Sequence, residues 1–213
     1  MKTFNKTLIA ASLATLGMAS APAAVASIES SATVATSYLW RGLDQGSGTG
    51  SISADVVYST GGLSAGLWVG SGDTNDGAEY DLFVSYGGEI GALGYSVGYA
   101  EYNYPTNDIQ DGDGFESAED LEDYIYSLSY GGVTATHYDM KDSDYSYNTL
   151  AFDLAGFGVL FGDHDEGESE MSHFDLTYSA NDSLSFTVST VLTSNAPAEE
   201  ADTTVVASYS LPF

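Results

Sequence analysis

Apolar and polar residues alternate along most of this chain, and this period of two restricts its fold more than any other feature. Between positions 79 and 86, every second residue is Tyr, Leu or Val, and most of the residues between them are polar. Successive side chains of a β-strand point to opposite faces, so such a segment has one apolar and one polar wall. The pattern predicts an all-β chain whose strands lie near 31–41, 51–58, 63–69, 79–86, 93–103, 122–130, 133–139, 146–154, 157–162, 172–179, 184–193 and 203–213.

The last of these segments alternates as far as the final residue, Phe213, which shares its face with Leu211, Tyr209, Ala207 and Val205. A chain terminus normally frays, whereas a last strand that pairs with the first strand closes a barrel. An aromatic last residue on an alternating strand also resembles the end of bacterial outer-membrane barrels. We therefore predict a transmembrane antiparallel up-and-down β-barrel of about twelve strands.

The composition of the two walls indicates which one faces outward. In a soluble lipocalin-like barrel the apolar wall would face inward. Here the polar wall is mostly Ser, Gly, Thr and Ala with a few acids, which suits a crowded lumen better than a solvated surface. Membrane barrels carry an aromatic girdle at each rim, and we place Tyr38, Trp40, Tyr80 and Phe174 at one rim and Tyr58, Tyr86, Tyr130, Tyr178 and Phe213 at the other.

The connections between the predicted strands alternate between short and long. The short ones are 59–62, 87–92, 131–132, 155–156 and 179–183, and the long ones are 42–50, 70–78, 104–121, 140–145, 163–171 and 194–202. Membrane barrels have short periplasmic turns and longer outer loops. We therefore expect the long connections, which hold most of the acidic residues, to face the outside of the cell.

The first residues have the composition of a secretory signal peptide. Lys2 and Lys6 precede an apolar run, which ends in small residues before Ala26. A charged start, a short apolar middle and small residues at the cleavage point are typical of such peptides. We predict that 1–26 are removed and that 27–213 form an outer-membrane β-barrel domain. The chain has no Cys, so disulfides do not contribute to its fold.

The charge of the chain excludes one class of partner and favours another. After the predicted cleavage, Arg41 and Lys141 are the remaining Lys or Arg residues, against 31 acids. Such a chain does not bind nucleic acid through its phosphates. The predicted location is the outer membrane of a Gram-negative bacterium. The expected partners are outer-membrane lipid, lipopolysaccharide and, through the strand ending at Phe213, the barrel assembly machinery.

Two segments resemble the TorF family of porin-like barrels. The segment Tyr38-Leu-Trp-Arg-Gly-Leu-Asp-Gln45 is similar to a motif near the start of that family, although Asp44 stands where Ser or Thr is usual. The stretch from Glu79 to Gly91, with the residues that follow it to Pro105, is similar to the family's central hairpin. The resemblance covers roughly the first half of the predicted mature chain and implies an outer-membrane porin-like barrel.

The candidate pore residues lie on the inward phase of the predicted strands, that is, at the alternate positions whose side chains point into the lumen. Arg41 follows that phase at the outer end of the first predicted strand, and Trp68 and Phe83 on the same face would constrict the lumen. A buried Arg is nearly always paired, so the simplest role for Arg41 is that of an ion-pair partner. The acids of this phase would either pair with Arg41 or attract cations into the lumen, and they are Asp55, Asp81, Asp153 and Asp175.

These features favour an outer-membrane channel for passive diffusion of small cationic or neutral solutes. A non-conducting structural barrel with acidic, divalent-cation-binding loops stays open as an alternative. Four acids of the longest connection are weak Ca²⁺ candidates, but Ile109 stands where an EF-hand requires its first Asp, and the four are Asp108, Asp111, Asp113 and Glu116.

A lipid hydrolase is a remote alternative for a barrel of this kind. His137, His164 and His173 are the candidate bases, but Ser172 and His173 are adjacent on one strand and point to opposite faces, so they cannot form a catalytic pair. A catalytic role requires a site, and the sequence contains no recognisable one. We expect neither enzymatic activity nor a cofactor.

Overall fold

The computed structural model describes residues 26–74, 77–105, 121–166, 169–194 and 203–213. Most of the predicted signal peptide, 1–26, and all four Ca²⁺ candidates in the longest connection lie outside these ranges. Within the described part of the chain, no helix is long and apolar enough to cross a membrane.

Every regular element of the described chain is a β-strand. The fourteen strands are β1 (Ser27–Ala35), β2 (Leu39–Trp40), β3 (Leu43–Asp44), β4 (Ser51–Thr60), β5 (Leu63–Asp73), β6 (Gly77–Ile90), β7 (Leu93–Asn103), β8 (Leu121–Tyr130), β9 (Val133–Met140), β10 (Ser146–Leu154), β11 (Phe157–Glu166), β12 (Ser169–Ser179), β13 (Leu184–Ser194) and β14 (Thr203–Pro212).

Twelve of these strands form a closed antiparallel barrel, in which each strand pairs with its neighbours along the chain. The exceptions are β2 and β3, which pair only with each other. Closure joins the first and last strands of the barrel, because Ser31–Ala35 of β1 pair with 208–212 of β14. The prediction of an all-β, up-and-down barrel of about twelve strands is therefore confirmed.

Tight turns gather at one end of the barrel, which we call the turn end; the opposite end is the loop end. The pairs Gly61-Gly62, Gly131-Gly132 and Ala155-Gly156 each connect two strands directly, and all six residues have positive φ. Two consecutive residues with positive φ make a type I′ turn, whose twist matches that of the strands it joins. Three of the five short connections expected from the sequence are thus built around these pairs of residues.

The first predicted strand, 31–41, is wrong at both ends. The strand that lies in the wall runs from Ser27 to Ala35, and the chain then leaves the wall and enters the lumen. Two connections that were expected to be long are also shorter, because strands occupy most of 70–78 and 163–171. Alternation weakens in those segments while backbone pairing continues, and for that reason the pattern ended too early there.

The apolar wall faces outward around the barrel. Val84 of β6, Val97 of β7 and Leu128 of β8 are 42, 49 and 55% exposed. On the same strands, the residues that point to the opposite face are largely buried, as Asp81 of β6 and Ala100 of β7 illustrate at 1 and 0% exposure. The isolated chain therefore exposes a belt of large apolar side chains and encloses small and polar ones, the reverse of a soluble barrel.

Candidate functional site

The interior of the loop end is filled by a segment of the chain itself, residues 37–46, which we call the inner hairpin. Its strands β2 and β3 have two residues each and are joined by Arg41 and Gly42, whose φ angles are 47° and 84°. This is a type I′ turn, and it accounts for the reversal of the chain at this point. The interpretation of Arg41 as the outer end of a wall strand is therefore wrong.

The base of the inner hairpin is held by Asp44, the residue at which the chain departs from the TorF-like motif. Its carboxylate accepts hydrogen bonds from the Ser37 hydroxyl and from the backbone N–H groups of Gly46 (3.1 Å) and Gly48 (3.2 Å). A carboxylate that accepts several backbone N–H groups organises a turn locally, as Asp does in Asx-turns. Ser or Thr at this position would offer fewer acceptor sites.

The inner hairpin spans the lumen from one wall to the opposite wall. At its start, the Tyr38 hydroxyl donates a hydrogen bond of 2.7 Å to Glu79 of β6. At its tip, the backbone of Gly42 lies against the His173 ring of β12, so close that a Cβ on Gly42 would lie 2.3 Å from the ring. In the order of the closed barrel β6 and β12 are six strands apart in a ring of twelve, so they face each other across it.

The guanidinium of Arg41 lies inside the barrel, where Arg41 is only 5% exposed. It forms an ion pair with Asp123 of β8, whose side chain is fully buried. It also donates hydrogen bonds to the hydroxyls of Tyr102 (3.2 Å) and Tyr145 (3.3 Å). Tyr102 in turn donates to the same oxygen of Asp123 at 2.9 Å, so one carboxylate oxygen accepts from both Arg41 and Tyr102.

Aromatic rings surround the same guanidinium, and we call these rings together with Asp123 the Arg41 cage. The guanidinium carbon lies 4.5 Å from the Trp40 ring centre, 4.7 Å from Tyr138 and 4.9 Å from Tyr147. The rings of Tyr145 and Tyr102 follow at 5.8 and 6.0 Å. Cations within about 6 Å of a ring centre are attracted to its face, and more strongly where water is excluded.

Two histidines hold the backbone of the hairpin tip. His164 of β11 donates from Nε2 to the carbonyl oxygen of Arg41 (2.8 Å), while its Nδ1 lies 2.8 Å from the Tyr145 hydroxyl. His173 stacks on Tyr147 and lies 2.8 Å from its hydroxyl. Their neighbours within the lumen are Tyr and Arg residues and carboxylates, which is the setting of a packed polar network.

The predicted pore acids face inward, but none of them contacts Arg41. Asp55 accepts a hydrogen bond from Ser31. Asp175 is hydrogen-bonded to His173 (2.9 Å) and accepts from Ser189 (2.6 Å). Asp153 belongs to the inward phase of β10 at the turn end and is exposed. Asp123, which lies in the predicted strand 122–130 and was not among the predicted pore acids, is the partner of Arg41.

The remaining predicted acid, Asp81, lies beside Glu79 on the inward face of β6. Both carboxyl groups are buried, at 1 and 4% exposure, and Glu79 accepts hydrogen bonds from Tyr38 and from Tyr104 (2.9 Å). Atom Oδ1 of Asp81 has no hydrogen-bond partner among the described residues. Across the same region, no group of three or more described His, Asp or Glu side chains is placed to hold a metal ion.

The predicted constriction residues lie in the wall of the lumen beside the inner hairpin. Trp68 of β5 stacks on Tyr38, with ring centres 6.0 Å apart. Phe83 of β6 packs against the buried cluster that contains Tyr102, Tyr138 and Tyr147. Tyr38 and Trp40, which we placed at an outer rim, therefore lie inside the barrel, and the rim assignment is wrong for these two residues.

The turn end of the lumen is lined by hydroxyl groups that pair across neighbouring strands. The distances between paired oxygens are 2.6 to 2.9 Å, and the pairs are Thr33 with Ser210, Ser59 with Ser64, Ser127 with Thr136 and Thr177 with Thr187. These side chains are short and neutral. The lumen thus has a charged, aromatic half that contains the inner hairpin and a hydroxyl-lined half that does not.

Three further residues that the sequence singled out point away from the lumen. Lys141 lies in the turn after β9, where it forms an ion pair with Glu122; a hydrogen bond to that carboxylate raises the pKa of the Lys141 ammonium. His137 is exposed on the outward face and stacks on Tyr126. Ser172 is hydrogen-bonded to Thr193 and does not approach a lumen histidine through its hydroxyl.

Comparison of the chain with models of known protein families and with curated proteins finds no match.

Proposed function

We propose that this protein is an outer-membrane channel of narrow bore for small cationic or neutral solutes. One observation carries the proposal: a closed twelve-stranded barrel presents a belt of apolar side chains outward and a polar, acidic lining inward. A closed barrel leaves no unpaired strand edge in the hydrocarbon, and this is the condition for a sheet to span a membrane. Barrels of this size lie between filled eight-stranded barrels and wide porins.

The charge of the lumen supports a preference for cations. Arg41 is neutralised by Asp123, so the other inward acids are not balanced by a second inward Lys or Arg among the described residues. The inward acids that solvent reaches are Asp55, Asp153 and Asp175, whereas Glu79 and Asp81 are buried beside each other. A pore lined by carboxylates concentrates cations and repels anions, and dissolved salt screens this effect.

The inner hairpin supports a small conductance. It spans the loop end, whereas the hydroxyl-lined half offers neutral hydrogen-bonding groups to a solute. We propose that the turn end faces the periplasm and that the apolar belt contacts lipid and, in the outer leaflet, lipopolysaccharide. The last strand, with Phe213 after it, would be the segment that the barrel assembly machinery recognises, as its resemblance to the end of bacterial outer-membrane barrels implies.

The test is a current measurement on the purified mature protein in planar bilayers. At about 0.1 M KCl the reversal potential should indicate that K⁺ permeates better than Cl⁻, and the preference should weaken at about 1 M KCl, where screening is strong. Replacing Asp55 and Asp153 together by Asn should reduce the preference, because both are inward acids that solvent reaches. Replacing the exposed Asp139 on the outward face by Asn is the matched control and should leave it unchanged.

A closed structural barrel is the second candidate, and the anchoring of the inner hairpin at both walls favours it. The two candidates differ in one measurement. The channel requires current through the wild-type barrel, and that current should be larger in the Arg41→Gly variant. No current through the wild type, together with current through the variant, would favour a plugged barrel. Silence in both, with folding verified by heat-dependent electrophoretic mobility, or a preference for anions would overturn the proposed channel.

A further inference from the structure

The Arg41 cage combines the three kinds of contact that bind a guanidinium group. Tyr138 and Tyr147 present ring faces at 4.7 and 4.9 Å, Asp123 supplies a buried carboxylate, and the hydroxyl of Tyr102 accepts a hydrogen bond at 3.2 Å. A planar, weakly hydrated cation with several donors gains from all three kinds of contact. An alkali metal ion would gain mainly from the carboxylate and would lose a strongly bound hydration shell.

The cage wall belongs to the strands of the barrel and not to the inner hairpin. Tyr102, Asp123, Tyr138 and Tyr147 belong to four consecutive strands of the barrel, β7 to β10, and are 0 to 3% exposed. Backbone pairing along these strands fixes the backbone positions from which the four side chains project. Among the rings nearest to the guanidinium, only Trp40 belongs to the inner hairpin and would leave with it.

Arg41, which occupies the cage, lies on the inner hairpin, and this element is much less stable on its own than the barrel wall. The strands β2 and β3 share two residue pairs, and Arg41 itself has a φ of 47°, which is unfavourable for a residue other than Gly. A short isolated hairpin is marginally stable on its own. The hairpin is therefore held in the lumen by its contacts with the wall, and a solute that makes the same contacts competes with it.

We propose that the Arg41 cage is a binding site for guanidinium-type organic cations and that Arg41 is the chain's own competitor for it. The site itself stands on the geometry of the lumen. Its consequence for transport, that such cations displace the hairpin tip on their way through, rests on the proposed channel function. Guanidinium-type cations would then be the solute class for which this barrel is selective.

The first experiment removes the occupant and measures binding by calorimetry on the folded mature protein in detergent. Gly suits position 41 because it adopts positive φ without strain, so Arg41→Gly should keep the turn. We expect this variant to bind methylguanidinium saturably and about tenfold more tightly than the wild type. Na⁺ at equal ionic strength should not compete. Adding Asp123→Asn should abolish binding, whereas adding Asp139→Asn on the outward face should not.

A second variant and a second readout keep the test decisive if Arg41→Gly does not fold. Arg41→Lys keeps a positive charge for Asp123 but fills the cage less, so its affinity for methylguanidinium should lie between those of Arg41→Gly and the wild type. In a Trp68→Phe background the remaining Trp40 reports on the hairpin tip directly. Methylguanidinium should change its fluorescence, and NaCl at the same ionic strength should not.

Several results would overturn the site. They are equal affinity of the wild type and Arg41→Gly, equal binding of methylguanidinium and Na⁺, and binding that survives Asp123→Asn. Current measurements on the same preparations separate this proposal from the channel. Binding without wild-type current would leave the site and remove the channel, whereas wild-type current without binding to Arg41→Gly would do the opposite.

Discussion

The buried pair of Arg41 and Asp123 allows a quantitative test of the interior. The side chains are 3 and 0% exposed, so neither charge has water to replace a lost partner. Asp123→Asn keeps the volume of the side chain but removes its negative charge, and it leaves the guanidinium buried and uncompensated. Breaking a buried pair in this way costs about 3–5 kcal/mol of unfolding free energy.

Part of this loss of stability should be recovered when both charges are removed. In Arg41→Met/Asp123→Asn the cage receives an apolar side chain among aromatic rings, and no unpaired charge remains. We therefore expect the double variant to be more stable than Asp123→Asn alone, with a coupling energy between the two sites of about 2 kcal/mol or more. Removal of a mere surface contact would give additive losses instead.

The measurement is denaturant unfolding of the mature protein in detergent or lipid vesicles, followed by tryptophan fluorescence. Trp40 lies 4.5 Å from the guanidinium, so it responds to the state of the cage. Asp153→Asn is the control, because Asp153 is an exposed acid, and it should change stability by about 0.5 kcal/mol or less. A loss below about 1 kcal/mol for Asp123→Asn, or a double variant weaker than that single variant, would refute the account of the cage.

Two further predictions address the wall and the hairpin tip. Val84→Arg, on the outward belt, should cost about 2–4 kcal/mol in a lipid bilayer, while Ser96→Arg on the inward face should cost much less; equal unfolding free energies of the two variants would contradict the assignment of faces. Gly42→Ala and Gly48→Ala place a Cβ at similar positive φ, 84° and 74°, but only the first meets the His173 ring, whereas nothing lies within 4 Å of the second. Gly42→Ala should therefore be the more destabilising in thermal unfolding, and equal melting temperatures would show that the tip is not packed against β12.

The barrel was predictable because its determinants are local. Alternation within each segment sets which side chains face the lumen, and pairs such as Gly131-Gly132 set where a strand reverses. Both kinds of information lie within a few residues of one another along the chain. Strand count and the position of the turn end follow from them without knowledge of any distant contact.

The inner hairpin was not predictable from alternation alone. The period of two continues from β1 through Ser37 and Leu39 to Arg41, and a strand in the wall has the same period as a strand inside the lumen. Gly42 was the available sign of a turn, but Arg at the preceding position concealed it, because non-glycine residues with positive φ are uncommon. Their combined φ values of 47° and 84° become visible only in three dimensions.

The ion-pair partner of Arg41 could not be predicted from residues that are close to it in the sequence. Asp123 lies 82 residues away along the chain, and its contact with Arg41 requires the hairpin to reach the strands β7 and β8 across the lumen. Asp55, Asp81, Asp153 and Asp175 share its inward phase, so phase alone cannot choose among them. Which of these acids pairs with Arg41 depends on its position along the barrel axis and on its distance from the hairpin tip. Neighbouring residues in the sequence do not encode either quantity.

The size of the barrel gives a physical reason for the hairpin. Eight strands enclose a space that side chains fill, whereas sixteen or more leave a water channel. Twelve strands lined by small residues leave a space that wall side chains alone do not fill, and this chain fills the loop end with its first connection. Gly162 of β11 illustrates the fit, because a Cβ there would lie 2.0 Å from Nε2 of His173. The wall therefore has no side chain at the point where His173 lies between it and the hairpin. In the proposed channel, a solute that reproduces the contacts of Arg41 would open this end at a lower free-energy cost than one that cannot.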